Sequence, residues 1–404
     1  MKTTQRTAAK SIRARTGSLL SAATLCAVLC ALPAAAADPY KIDVILPLTG
    51  GASFLGKGEQ QSFELLQKSV NKTGGISNQP LQFTYYDDQS SPQTAVQLAS
   101  QIAASKPAII LGPSIVAMCN AAGALMKDGP VMYCLSPGIH PPKGSYVFTS
   151  STSTYDLAKA LIRYFRMKGW TNIAIMTSSD ASGQDAERGL KEAAAMPENK
   201  DVKFVALVHF NPTDVSVAAQ IENVKAANPQ AFIAWSTGAP IATIFKGIVQ
   251  AGLDVPTGTT DGNMTHAQMK NYAAFLPKQL YIPSALWPGY GQNLGIDPAV
   301  EKAQAAFYAE FEAAGLLPDL PGSIAWNTGT IVVDALRKLG PNVTAAQLRS
   351  YLENLSGFAG IDGVHDFPKS PQRGLDLNDA LVTRWDPAKN VWIPVSKPTG
   401  IPRE

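Results

Sequence analysis

From residue 40 the chain alternates apolar runs with amphipathic segments, each pair divided by a polar or glycine-containing break. Residues 42–46 are apolar apart from Asp43, as expected of a strand buried on both faces. Pro47-Leu48-Thr49-Gly50-Gly51 interrupts this run, and a helix is predicted from about Gly58, with Phe63, Leu66 and Val70 on one face and Gly74-Gly75 closing it. The next strand is predicted at 81–86. Ser91-Pro92 then supplies an N-cap and an N1 proline to a helix that buries Ala95, Leu98 and Ile102. The same pattern predicts strands at 108–111, 131–135, 173–177, 204–208 and 231–235. The intervening helices are expected at 117–126, 156–168, 184–195, 215–227 and 241–250. After about Trp287 the pattern is mainly helical, at 299–314, 323–339 and 345–355, before two short strands at 381–385 and 392–395. Regular β-α alternation predicts an α/β fold of parallel sheets covered by helices on both faces.

The breaks after the strands are the first functional signal. Pro47-Leu48-Thr49, Pro113-Ser114, Ser136-Pro137-Gly138, Ser178-Ser179-Asp180 and Ser236-Thr237-Gly238 all follow apolar runs. Open parallel sheets bind ligands beyond the carboxyl ends of their strands. Free N–H groups at the following helix starts suit a carboxylate or another anion.

Composition adds a compartment. The 404 residues are 46% hydrophobic and 16% charged, enough for two domains with filled cores. Lys2, Arg6, Lys10, Arg13 and Arg15 precede an apolar run at 19–32, then Pro33 and four alanines up to Ala37. This reads as a secretory signal peptide cut after about Ala37. The run is shorter than the roughly 20 residues that span a bilayer. A leucine precedes both Cys26 and Cys30, which argues against a lipid anchor. The leader holds five cations and no acids, so the formal charge of +3 becomes −2 without it, and nucleic-acid binding loses its main support. Cys119 and Cys134 remain, in a compartment where disulfides persist. They fall on a helix and the strand after it, so a Cys119–Cys134 bridge is expected, the alternative being two buried thiols.

Motifs for catalysis or metal binding are missing. Gly56-Lys57-Gly58 lacks the third glycine of a phosphate loop, since Gln61 stands there, and reads as a tight turn. There is no H-E-x-x-H, C-x-x-C or G-x-S-x-G, and His140, His209, His266 and His365 are scattered. No cofactor or metal is expected. Trp235, Trp287, Trp326, Phe54 and Tyr155 are candidates to line an apolar cleft.

Residues 41–96 then show a specific pattern: Pro47-Leu48-Thr49-Gly50, Gly56, Asn71-Lys72-Thr73-Gly74-Gly75-Ile76, Asp87-Asp88, Pro92 and Ala95. This resembles the start of the branched-chain amino-acid (Leu/Ile/Val)-binding type of periplasmic substrate-binding protein of ABC importers. The resemblance covers essentially all of the chain beyond the leader. It implies a type I fold of two lobes, each a parallel sheet flanked by helices, joined by three hinge crossovers. The lobes would be about 38–150 plus 285–374 and 151–284 plus 375–404. The protein would be a periplasmic monomer that traps a small carboxylate between closing lobes and delivers it to a permease, without catalysis.

By resemblance, the ligand contacts fall at Phe54, Leu55, Ser114, Val116, Ala117, Ser136, Gly138, His140, Ser182, Gly238, Asp261 and Trp287. Several of these depart from the family pattern. Ser114-Ile115-Val116-Ala117 replaces a serine-richer loop, so backbone N–H groups would do more of the carboxylate binding. His140 stands for a threonine, Ser182 for a tyrosine and Gly238 for an aromatic, while Asp261 marks the acid that pairs an amine. These replacements make room and favour an aromatic acid, with His140 bonding its carboxylate or phenol. A branched-chain or other amino acid is the alternative ligand. A sensory module and an exported enzyme are the rival classes.

Overall fold

The apolar runs become two sheets, one for each lobe of an α/β fold. The computed structural model describes residues 38–403, so the expected signal peptide lies outside the described residues. The first lobe is built on β1 (Tyr40–Leu46), β2 (Leu81–Asp87), β3 (Ile109–Leu111), β4 (Val131–Cys134) and β5 (Val147–Thr149). All pair in parallel, in the order β2-β1-β3-β4-β5. The helices α1 (Ser53–Lys72), α2 (Pro92–Ala103) and α3 (Val116–Gly123) connect them. Ser91 caps α2 as expected, its hydroxyl accepting from the Thr94 N–H at 3.3 Å.

The chain then passes through α4 (Thr154–Met167), β6 (Asn172–Ser178), α5 (Ala181–Ala195), β7 (Lys203–Phe210), α6 (Ala218–Ala226), β8 (Ala231–Trp235) and α7 (Ile241–Gln250). After β9 (Thr257–Gly258), α8 (His266–Asn271) and β10 (Leu280–Ser284) it returns to the first lobe. There it forms α9 (Pro298–Ala313), α10 (Leu320–Leu339), α11 (Ala345–Glu353) and the hairpin β11 (Ser356–Ala359) with β12 (Val364–Asp366). α10 packs along α1. Last come β13 (Leu381–Asp386) and β14 (Val391–Pro394), which complete a seven-stranded sheet in the order β14-β13-β10-β9-β8-β6-β7. β13 is antiparallel to β10; β6 to β10 are mutually parallel. Every residue of β8 is buried, because helices cover both faces.

The first and third crossovers lie side by side. Ser150 of the first shares a 2.7 Å hydrogen bond with Thr328 of α10, and the Thr152 hydroxyl donates to the Asp379 carbonyl at 3.4 Å. The buried Arg373 guanidinium donates to the carbonyls of Ser151, Pro137 and Ile139, tying the third crossover to the first.

Three expectations are corrected. α1 starts at Ser53, ahead of the expected Gly58. Gly56 reads as a break but is a packing requirement, since a Cβ there would stand 2.3 Å from the Pro47 carbonyl oxygen. Strands β5, β9, β10, β11 and β12 were not anticipated. Most are too short to carry a pattern, and Pro283 interrupts the five-residue run of β10. Finally, Cys119 and Cys134 are free buried thiols rather than a disulfide. Both are enclosed by the apolar cluster of Ile45, Ile110 and Met132, where they pack as small apolar side chains, and the Cys119 thiol donates to the Pro113 carbonyl at 3.1 Å. Burial pushes the Cys119 thiol up, keeping it protonated.

Candidate functional site

The carboxyl ends of both sheets face a common cleft, and three of the five breaks, at Ser114, at Ser136-Pro137-Gly138 and at Thr237, line it, while Pro47-Leu48-Thr49 and Ser178-Ser179-Asp180 do not. From the first lobe come Leu55 and Glu59 of α1, Ser114 to Val116 at the start of α3, and residues 135–138 after β4. Leu320 and Ile324 of α10 join them. Facing these are Thr154, Ser182, Trp235, Thr237 and the turn 260–262. The enclosed space is about 30 Å³, room for two or three waters, so the lobes stand close together. Among the described residues, backbone hydrogen bonds cross between them from the Ala239 N–H to the Gly51 carbonyl and from the Leu320 N–H to the Met264 carbonyl, each 3.0 Å, and from the Thr154 N–H to the Pro137 carbonyl at 3.2 Å.

The two walls differ chemically. On the first lobe, Ile115 precedes α3 without offering a side-chain cap, so the first-turn N–H groups have no side-chain acceptor. Beside them the Ser114 hydroxyl donates to Glu59 Oε2 at 2.5 Å. Glu59 is 1% exposed. Burial pushes its carboxyl up to about 8, and the charges of Asp88 and Asp319 add to the effect. On the second lobe, Thr260 caps the turn at Asp261–Asn263 and donates to Asp261 Oδ1 at 3.0 Å. Burial raises the Asp261 carboxyl to about 6, with the Thr260 hydroxyl and the Gly262 N–H opposing the rise. Asn263 holds the neighbouring loop, accepting from the Gly238 N–H at 3.2 Å and donating to the Ser236 carbonyl at 2.9 Å. The cavity therefore offers N–H and hydroxyl donors on one wall, a buried acid on the other, and apolar surface from Leu55, Val116, Trp235 and Ile324 between them.

A family model for periplasmic binding proteins matches residues 39–389. The chain belongs to this family. A leucine-, isoleucine-, valine-, threonine- and alanine-binding protein of Pseudomonas aeruginosa is 22% identical over 57% of this chain. That alignment spans 63% of the relative's own length. The fold is similar to a type 1 periplasmic binding protein from Bordetella pertussis (TM-score 0.75, 19% identity, covering 88% of this chain and 99% of the other). It is also similar to a branched-chain amino acid transporter substrate binding protein from Streptococcus pneumoniae, solved with isoleucine (TM-score 0.73, 17% identity, covering 89% and 99%).

In this periplasmic binding protein the structure gathers Leu55, Ser114, Val116, Ser136, Gly138, Ser182 and Asp261 around one cavity. Ala117 lies in the first turn of α3, outside the lining. Phe54 packs edge-on against Tyr272 at 6.1 Å. Gly238 faces Gly51 across the cleft instead of the cavity itself. Two residues are elsewhere. His140 binds Asp185 Oδ1 at 2.9 Å, lies 4.5 Å from the Tyr155 ring, and lines a separate surface cleft with Ile139 and Pro141. Trp287 lines an aromatic surface groove with Tyr290, Tyr308 and Trp392. The lining residues that sequence reasoning missed include Glu59, Thr154, Thr260, Leu320 and Ile324. Glu59 did leave a signal: it falls on the same face of α1 as Leu55, Phe63, Leu66 and Val70, where a charged residue has no structural reason to stand.

Proposed function

We propose that this protein is the extracytoplasmic solute-binding component of an ABC importer, and that its ligand is a small amino acid with an apolar side chain. The observation that carries the reading is the polarity of the cavity. Uncapped N–H groups and serine hydroxyls suit a carboxylate, the buried Asp261 suits an ammonium, and Leu55, Val116, Trp235 and Ile324 suit an apolar body. Leucine, isoleucine, valine and alanine, four of the five amino acids named for the Pseudomonas aeruginosa relative, have this chemistry. In this reading residues 1–37 are an export signal. The lobes comprise 38–150 plus 285–374 and 151–284 plus 375–404, and they close on the ligand before a membrane permease receives it.

An aromatic acid is a second reading, favoured by the Trp235 ring in the cavity wall. It has lost its other support, because His140 is engaged with Asp185 outside the cavity. A thermal-shift panel of aliphatic amino acids, aromatic amino acids and aromatic acids lacking an amine separates the two. A true ligand at 100 times its Kd adds about 2.7 kcal/mol to the folded state. Stabilisation by leucine, isoleucine or valine is expected; stabilisation by amine-free aromatic acids alone would overturn the amino-acid reading.

A further inference from the structure

The cavity carries a charge imbalance that zwitterion binding does not account for. Among the described residues its lining includes two carboxyl side chains, Glu59 and Asp261, and no lysine, arginine or histidine. Asp261 can answer a ligand ammonium. Glu59 stands against Ser114 and the start of α3, where the carboxylate is expected, and a charged Glu59 there would repel it.

The hydrogen bond between the two residues sharpens the problem. A serine hydroxyl has one proton. With Ser114 Oγ 2.5 Å from Glu59 Oε2, an ionised Glu59 takes that proton's only bond and leaves Ser114 nothing to donate. A protonated Glu59 reverses the direction: its own O–H donates to Ser114 Oγ, and the Ser114 proton is free to turn into the cavity.

We propose that Glu59 is a positioning residue that holds a proton when the cavity accepts ligand, so that Ser114 donates to the ligand carboxylate. The proposal rests on the reading of the cavity as an amino-acid site. Burial and the neighbouring acids favour it, and the Ser114 hydrogen bond alone acts the other way. Asp88 beyond β2, Asp319 at the start of α10 and Asp261 across the cavity are all acids, the Cys119 thiol of α3 is buried nearby, and among the described residues no cation lines the cavity. Asp319 is itself raised to about 7 by burial. Near-complete burial of Glu59, with its rise to about 8, places the change from donor-free to donor-blocked Ser114 in a measurable range.

The test is calorimetric titration with L-leucine at about pH 6.5 and about pH 9, on the wild type and on Glu59→Gln. A group titrating near 8 is about tenfold depleted of its proton one unit higher. Wild-type affinity is therefore expected to fall about tenfold more between the two pH values than that of Glu59→Gln, whose amide donates to Ser114 at both. Titration of leucine itself and of Asp261 is common to both proteins and cancels in the comparison. Ser114→Ala removes the switched donor but keeps the Glu59 charge, so its pH response should lie between those of wild type and Glu59→Gln, and a response smaller than wild type's serves if Glu59→Gln does not fold. An equal pH response in wild type and variants overturns the role of Glu59 alone. Absence of binding by leucine, isoleucine and valine to the wild type at both pH values overturns the amino-acid reading, and this role with it.

Discussion

Replacing Gly238 with alanine separates strain within a loop from the cost of bringing the lobes together. Gly238 has a φ of 84°. An L-residue held in the left-handed region costs about 1–2 kcal/mol, whatever the lobes are doing. The second cost exists only where the lobes meet. A Cβ on Gly238 would lie 2.8 Å from the Gly51 carbonyl oxygen and 3.5 Å from its carbonyl carbon. The adjacent Ala239 N–H already donates to that oxygen at 3.0 Å, which fixes both backbones. Overpacking typically costs about 1–3 kcal/mol. Because neither backbone can rotate aside, the upper part of that range applies, and about 2–3 kcal/mol weakens binding some 30- to 150-fold. Urea denaturation of the ligand-free protein reads the first cost; calorimetric titration with the ligand found in the panel reads the second. Affinity within about threefold of wild type would refute the reasoning, because the ligand-bound state would then not contain the Gly238–Gly51 approach.

Three further outcomes follow from the same geometry. Asp261→Asn should weaken amino-acid binding by about 2 kcal/mol or more, the usual cost of removing one partner of a buried charge pair. Calorimetry checks this, and undiminished affinity would show that the ammonium is held elsewhere. The melting temperature of the ligand-free protein should fall from about pH 6 to pH 8.5, read by circular dichroism. Glu59 and Asp362 are raised to about 8 and Asp319 to about 7 by burial, so the stability they favour is complete below their ordinary range near 4 and is lost as pH rises through 7–8. His365, lowered by burial to about 4, acts in the opposite sense: its contribution is complete above 6.5 and is lost as pH falls through 4. A steady rise in melting temperature from pH 5 to 8.5 would contradict these assignments. Thiol titration in denaturant without reductant should find two thiols in a chain lacking residues 1–37, and a titre of zero would restore the disulfide.

The fold was legible wherever burial is two-sided or periodic. β8 and α7 occupy the ranges their apolar patterns predict, and Ser91-Pro92 opens α2 as its capping chemistry requires. What escaped was set by distant partners. β9 is two residues long and is defined by its neighbours β8 and β10, leaving no pattern of its own. The cavity was legible as loops more than as side chains. Ser114, Ser136 and Asp261 follow strands and line the cavity. His140 follows one too, but its direction is decided by Asp185 and Tyr155, about which the local sequence says nothing. Trp287 likewise turns towards Trp392, at 6.1 Å, and away from the cleft.

The central claim is that one ligand is held by both lobes at once, between the start of α3 and the turn at Asp261. Amide hydrogen exchange with and without saturating L-leucine tests this most directly, because bound ligand suppresses local opening where it makes contact. The account predicts protection that appears together at residues 114–118, 136–138, 235–238 and 260–263. Protection confined to one lobe, or centred on the aromatic groove at 287–290 and 390–392, would contradict it.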